Sequence, residues 1–529
     1  MSCFGDPSLY PAQASRSYTR RNFLATTGSL AAAAVWASRA EGVVRRDVVF
    51  SEYPFTLGVA SGDPSSDGVV LWTRLAPKPL SGGGMPPEPV EVAWQVAEDE
   101  KFGKVVRQGT TVASPDWGHA VHVEVEGLQP ARWYWYQFQA GGETSPVGRT
   151  RTMPTIDAVS PALRFAFASC QHFETGYYTA YEHMLKDDLD LVFHLGDYIY
   201  EGPGRDDRVR KHVGGKLSTL EDYRNRYAQY RGDPALRAMH AAAPWIVTWD
   251  DHEVENNYAG PFPEDLRVSQ ADFLARRALA YQAYYEHMPL RRATLPHGSD
   301  MPIYRRIPFG QLANFYVLDT RQYRTDQPCG DGRKKPTEAV YDPQATILGE
   351  AQRNWLLDGL ASSAARWNVL AQQVMVARID YAAGEAEILD MDKWCGYEAD
   401  RRRLLSFLGE RRIRNPVVLT GDIHTNWACD LATDFDKRDN RPVGVEFVGT
   451  SISSSGDGLR VPKNSDSLAA ENPCVKFYNA ERGYVRCAVS PREWRSDFQV
   501  VEYVTRPGAP PITRASFVVE DGQPRLAKA

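Results

Sequence analysis

Apolar and polar positions divide the chain into two regimes. From Tyr53 to about Met153 the runs are short and alternate with period two, as in "VEVAWQVAED", "AVHVEVEGLQP" and "RWYWYQFQA". Such alternation marks strands with one buried face. Turn clusters at Ser61-Gly62-Asp63-Pro64 and Ser66-Asp67-Gly68 separate them. Together they predict a small antiparallel sandwich of immunoglobulin or fibronectin type, with the aromatic run 133–138 as part of its core. After "SPVGRTRTMPT" the pattern changes. Nearly continuous apolar runs at 164–168, 191–195, 245–249, 313–318, 368–376, 416–420 and 445–449 alternate with stretches of helical spacing such as "QADFLARRALAYQAYYEHM". That alternation predicts an α/β unit around a central sheet. "RCAVSPREWRSDFQVVEYV" and "RASFVVED" read as antiparallel strands that close it.

The first forty residues follow neither regime. "SYTRRNFLATTGSLAAAAVWASRA" places Arg20-Arg21 before Phe23-Leu24, then a weakly apolar stretch and small residues at Ala37 to Ala40. This is the form of a twin-arginine export signal, which hands an already folded protein to the export machinery. Residues 1–40 are therefore read as a signal peptide, 41–153 as the sandwich and 154–529 as the catalytic unit. Within the body of the chain no apolar run is long enough to span a bilayer.

Composition adds exclusions. The 529 residues carry a net charge of −6, so nothing points to nucleic acid, which needs a basic face. Seven cysteines are too few for a disulfide scaffold. Cys474 and Cys487 are the pair expected to join after export.

The candidate chemistry gathers where predicted strands end. "FAFASCQHF" stops at Ser169-Cys170-Gln171-His172, and "LDLVFHLGDYIYE" at Gly196-Asp197, followed by Tyr198 and Tyr200. "PWIVTWDDHEVENN" ends in Asp250-Asp251-His252-Glu253, and "NPVVLTGDIHTNW" in Gly421-Asp422-Ile423-His424. Open α/β sheets bind ligands at these ends. A thiol, a phenol and imidazoles suit a ferric ion, whereas carboxylates suit calcium, magnesium or manganese. The mixed set predicts at least two metals sharing a carboxylate, an arrangement that activates water for phosphoryl transfer. Cys170 as a Cys–His nucleophile is the competing reading. Neighbouring acids oppose it, because they raise a thiol's pKa.

These motifs resemble a known family. Gly196 to Tyr200 is similar to the iron-tyrosinate motif of purple acid phosphatases, Asp251-His252-Glu253 to their Asn-His-Glu, and Gly421 to His424 to their Gly-His-x-His. With Cys170, "FTLGVASGDP", "YRNRYAQYRGDPALRAMHAAAPWIVTWDDHEVENNYAG", "VLDTRQYRTDQP", "LGEAQRNWL" and "QQVMVA", the pattern resembles the alkaline phosphatase D (PhoD-like) family over nearly the whole chain. The resemblance implies an α/β (α+β) metallophosphoesterase β-sandwich core with helices, preceded by the immunoglobulin-like all-β domain. It implies Fe3+ held by Cys170, Asp197, Tyr200 and His424. Asp197 bridges to Ca2+, joined by Asp251, Asp422 and an amide of the 368–376 run, Gln373 in preference to Gln372. His252 acts as the acid at the leaving oxygen. Asp250 and Asn257 serve a second calcium or support the ligands. The implied function is an exported hydrolase of phosphomonoesters and phosphodiesters, using metal-activated hydroxide for in-line attack. The alternatives are a phospholipase D-type phosphodiesterase or a catalytically silent surface binding protein. One departure stands out: Cys395 in Asp392-Lys393-Trp394-Cys395-Gly396-Tyr397 replaces an acid that is usual in the family.

Overall fold

The computed structural model describes residues 44–435, 441–463 and 465–529. The proposed leader therefore lies outside the described residues.

The N-terminal unit is all-β. Val90–Ala97 pairs antiparallel with Val105–Ala113 and with Trp133–Ala140, which in turn pairs with Gly148–Arg151. A second antiparallel set, Val59–Gly62, Val69–Arg74 and Ala120–Val125, packs against it. Val59, Val69, Leu71, Val92, Val96, Val121, Tyr134, Tyr136 and Phe138 fill the space between. The 133–138 run is core only at alternate positions. Tyr134, Tyr136 and Phe138 point inward, while Trp133 and Trp135 are half-buried on the other face, where the Arg149 guanidinium lies 3.6 Å over the Trp133 ring.

The remainder is two mixed sheets face to face with helices outside. Leu163–Ala168, Leu191–Leu195 and Trp245–Thr248 run parallel in one sheet. Ala313–Val317, Trp367–Ala371, Pro416–Thr420 and Pro442–Val448 run parallel in the other. The long strand Val475–Val489 joins them, pairing with Asn426–Ala432 near its start and with Leu163–Ala168 near its end. Both faces of each central strand are buried, which explains their continuous apolar character. Phe165, Phe167, Phe193, Phe315, Val369 and Val417 meet between the sheets. Ala166, Val192 and Val247 instead face the helices Leu220–Arg231 and Gln270–His287. Leu370 and Val418 face the layer that holds Leu356 and Leu405.

The predicted strand 368–376 ends at Ala371. Beyond it, the N–H groups of Val376 and Ala377 are drawn out of the ladder by the Glu446 carboxylate, each at 2.8 Å. No helix among the described residues is long and apolar enough to cross a membrane.

Candidate metal centre

Four of the central strands deliver ligand-type residues just past their carboxyl ends. Cys170 follows Leu163–Ala168, Asp197 follows Leu191–Leu195, Asp250 and Asp251 follow Trp245–Thr248, and Asp422 and His424 follow Pro416–Thr420. The turns are tight. Cys170, Asp197, Asp422 and His424 have φ of 58°, 56°, 67° and 56°. These left-handed conformations are costly for non-glycine residues and cluster at functional sites. Gly196, at φ 107°, is required outright, because a Cβ there would lie 2.4 Å from the Asp250 Cβ.

The side chains converge in three overlapping groups. Cys170, Asp197 and His424 offer ligand atoms that all lie within 4.8 Å of one another, as do those of Asp197, Asp251 and His252, and those of Asp250, Asp251 and Asp422. The Tyr200 hydroxyl joins the first group, donating to Asp197 Oδ2 at 2.8 Å and lying 3.1 Å from His424 Nε2. Ser454 donates to the Tyr200 oxygen at 2.7 Å and also reaches the Cys170 carbonyl at 2.7 Å. Asp197 belongs to two groups and Asp251 to two, so the donors form a chain.

Backbone order comes from Glu253. Its carboxylate accepts the N–H groups of Asp197 at 3.1 Å, Tyr198 at 2.5 Å and Asp250 at 2.9 Å. It thereby ties two strand-end turns together. His252 is fixed by Glu201 Oε2, 2.8 Å from its Nδ1, and its ring lies 4.2 Å from that of Tyr200.

The electrostatics fit a cation-binding pocket. Burial, then Asp197, pushes the Cys170 thiol well above its ordinary range, and the same two causes raise the Tyr200 phenol. Burial also raises the Asp197 and Asp250 carboxyls. It pushes His424 down to about 3, with Arg482 contributing. Burial would lower His252 as well, but Glu201, then Asp251 and Asp197, hold it well above a free imidazole. Asp197 Oδ1 and Asp250 Oδ2 are buried with no hydrogen-bond partner. A buried orphan carboxylate oxygen is expensive unless a cation meets it. Asp250, Asp251, Asp392 and Asp422 face three buried cations, Arg321, Lys393 and Arg324, and Asp197 faces His252. Arg321 touches Asp250 at 2.5 Å, Asp392 at 2.8 Å, Asp422 at 3.5 Å and Asp251 at 3.6 Å. Lys393 meets Asp422 at 2.5 Å, and Arg324 meets Asp392 at 2.7 Å. Negative charge remains in excess, and the donor set fits bound metal.

Gln373 requires a correction. Its Oε1 accepts from the Thr320 N–H and hydroxyl, at 3.1 and 2.7 Å. Its Nε2 donates to Thr248 Oγ1 and the Leu318 carbonyl. Both acceptor sites of the amide oxygen are occupied inside the wall, so it offers no ligand. Gln372 is likewise engaged, with Thr420 and Trp394. Asn257 gives its N–H to Asp251 Oδ2 and its amide nitrogen to Asp331, so it supports a donor. Sequence reasoning passed over Arg321, Lys393, Glu201, Glu253 and Ser454 as working residues. Arg321 and Lys393 sit inside stretches already notable, "VLDTRQYRTDQP" and the Asp392 to Tyr397 motif, and that placement was the available signal.

A two-sheet α/β sandwich with carboxylates, imidazoles, a phenol and a thiol at its strand ends defines a metal-dependent hydrolase. Residues 165–498 match the PhoD-like phosphatase family, and residues 41–154 match the N-terminal domain of PhoD-like phosphatases. The chain belongs to the PhoD-like phosphatase family, whose reaction is hydrolysis of phosphate esters. It is 52% identical over 520 residues to alkaline phosphatase D of Bacillus subtilis strain 168, covering 97% of this chain and 89% of that protein. A solved structure of PhoD superposes with a TM-score of 0.89 at 54% identity, covering 91% of this chain and 93% of the other.

Proposed function

We propose that the chain is an exported phosphatase for phosphomonoesters and phosphodiesters, working through a mixed ferric iron and calcium centre. Cys170, Asp197, Tyr200 and His424 would hold the iron. Asp197, Asp251 and Asp422 would hold calcium, with Asp250 beside them. The observation that carries this reading is Asp197, whose carboxylate is shared between a group containing a thiol and an imidazole and a group rich in carboxylates. The first donor type favours ferric iron and the second calcium. When bound, the metals supply Lewis-acid charge to the phosphoryl oxygens and make an attacking water acidic.

The chain's own residues do the rest. Arg321 spreads its charge over Asp250, Asp251 and Asp422 and offsets the repulsion among these carboxylates. Glu201 holds His252 through Nδ1, which leaves Nε2 as the nitrogen free to donate a proton to the departing oxygen. The organisation that goes with this reading is a leader at 1–40, an immunoglobulin-like sandwich at 41–153 and the phosphatase unit at 154–529. The twin-arginine route suits a protein that loads metal as it folds.

Elemental analysis of the purified protein, with turnover on aryl phosphate mono- and diesters, tests the proposal. Iron plus calcium, a visible tyrosinate band and activity abolished by EDTA are expected. Iron without that band removes Tyr200 from the ligands. Chelator-resistant activity favours a Cys–His hydrolase, and absence of turnover favours a silent binding protein. Asp197→Ala should lose metal and activity together, and full activity in that variant removes the bridging role.

A further inference from the structure

The pairing expected for Cys474 does not occur. Cys487 is buried between the two sheets, with its Sγ 3.4 Å from Ser496 Oγ. Cys474 packs in a different layer, under the helix side of the second sheet. Its neighbour there is Cys429. Asn426–Ala432 and Val475–Val489 are antiparallel, with Cys429 opposite Val475 at a bulge, and the Asp430 N–H donates to the Cys474 carbonyl at 3.0 Å. The bulge sets Cys474 next in sequence to the residue opposite Cys429, and both side chains pack in the same apolar layer. Both are free thiols here. Cys429 is buried, whereas Cys474 is half-exposed and lines a surface cavity of about 420 Å³.

We propose that Cys429 and Cys474 are joined by a disulfide in the mature protein once it meets a disulfide-bearing oxidant outside the cell. The inference rests on the export reading only for where the oxidant is met; the geometry stands without it. The accessible Cys474 loses its proton and attacks one oxidant sulfur. A protein–oxidant mixed disulfide forms and one oxidant thiolate leaves. Cys429 then loses its proton and displaces the second oxidant sulfur, closing the protein bond. Two protons are released, and the oxidant takes two electrons as two thiolates. The bond would staple the strand that leaves the Asp422–His424 turn to the strand that joins both sheets. Disulfides persist in exported proteins because the compartment outside is oxidising.

The test is non-reducing peptide mapping of the full-length purified protein before and after exposure to oxidised glutathione. The expected product has lost the mass of two hydrogens and links the peptides containing residues 429 and 474, with Cys170 and Cys487 unlinked. Cys429→Ser should trap a stable glutathione adduct at Cys474, because the resolving thiol is gone. Cys474→Ser should leave Cys429 unmodified. If the Cys429→Ser variant does not fold, the wild-type and Cys474→Ser maps still decide. Two thiols that remain open to alkylation, or a stable adduct on wild-type Cys474, overturn the proposal. Protein recovered from outside the cell provides the second arm. A reduced pair there sinks the claim for the mature protein, while enzyme found only inside the cell sinks the export reading instead.

Discussion

His252 and Glu253 are adjacent residues with opposite tasks. His252 faces the pocket, anchored by Glu201 and with its ring tilted against that of Tyr200. A proton donor matters most when the leaving group is poor, since a good one departs unaided. His252→Ala should therefore lower kcat by roughly 10²- to 10⁴-fold on alkyl phosphates and much less on nitrophenyl phosphates. An equal loss on both would show a role in binding or structure. Glu253 faces the backbone, and burial raises its carboxyl to about 8 while it still collects three N–H donors. In Glu253→Gln one oxygen becomes an NH2 that opposes an N–H. Loss of these N–H bonds at two strand ends leaves buried donors unpaired and should cost about 2–4 kcal/mol. The expected result is a lower denaturation midpoint together with reduced metal content. Unchanged metal retention would disconnect Glu253 from the site.

At the scale of elements, the site is a property of strand termini. The hydrophobic pattern exposed it because a strand buried on both faces reads as an apolar run with an abrupt polar end. Leu191–Leu195 followed by Gly196-Asp197 is the clearest case. What the pattern hides is convergence. Arg321 follows Ala313–Val317 and looks like an ordinary surface arginine in a polar turn, yet it lies 71 residues along the chain from both Asp250 and Asp392 while touching each. Gln373 failed as a ligand for the same reason, since only the fold reveals that Thr320 and Thr248 take its amide. The expected Cys474–Cys487 pairing missed because the two side chains pack in different layers, while a bulge sets Cys474 beside the partner of Cys429, which spacing along the chain does not announce. Gly196, by contrast, is a sequence feature with a direct structural cause. Gly196→Ala puts a methyl 2.4 Å from Asp250 Cβ at a φ of 107°. The turn must move, and Asp197 with it. The variant should retain its far-ultraviolet dichroism and lose at least tenfold in kcat and in bound metal. Wild-type activity would show that the turn has room to spare.

The whole molecule behaves as one packed body at its joins. Arg305 binds Asp63 through two nitrogens, at 2.6 and 2.8 Å, Trp72 donates to the Glu286 carbonyl at 3.0 Å, and Arg231 lies over the Trp72 ring at 4.3 Å. These contacts tie the N-terminal sandwich to the strand Arg305–Phe309 of the second sheet and to the helical layer behind the site. The arginines of "YRNRYAQYR" serve this architecture more than substrate: Arg224 pairs with Glu286, and Arg226 holds the Tyr200 and Gly202 carbonyls.

Deep burial also predicts sensitivity to acid. His194, the fourth residue of Leu191–Leu195, is 1% exposed, and neither ring nitrogen has a hydrogen-bond partner. Burial alone drives it from 6.5 down to about 3. Between those values the unfolded chain binds a proton that the folded chain does not. Stability from this ring is therefore complete above about pH 6.5 and is lost as pH falls toward about 3. From pH 7.5 to pH 4.5 the loss is about 3 kcal/mol, two pKa units of differential proton binding. His194→Phe keeps a ring of similar shape between Tyr198 and Trp245 and removes two unpartnered nitrogens. Urea denaturation at the two pH values should show the variant losing correspondingly less stability on acidification, with no loss at pH 7.5. Equal acid sensitivity in both proteins would mean that His194 takes up its proton alike in the folded and unfolded chain, and would overturn this account.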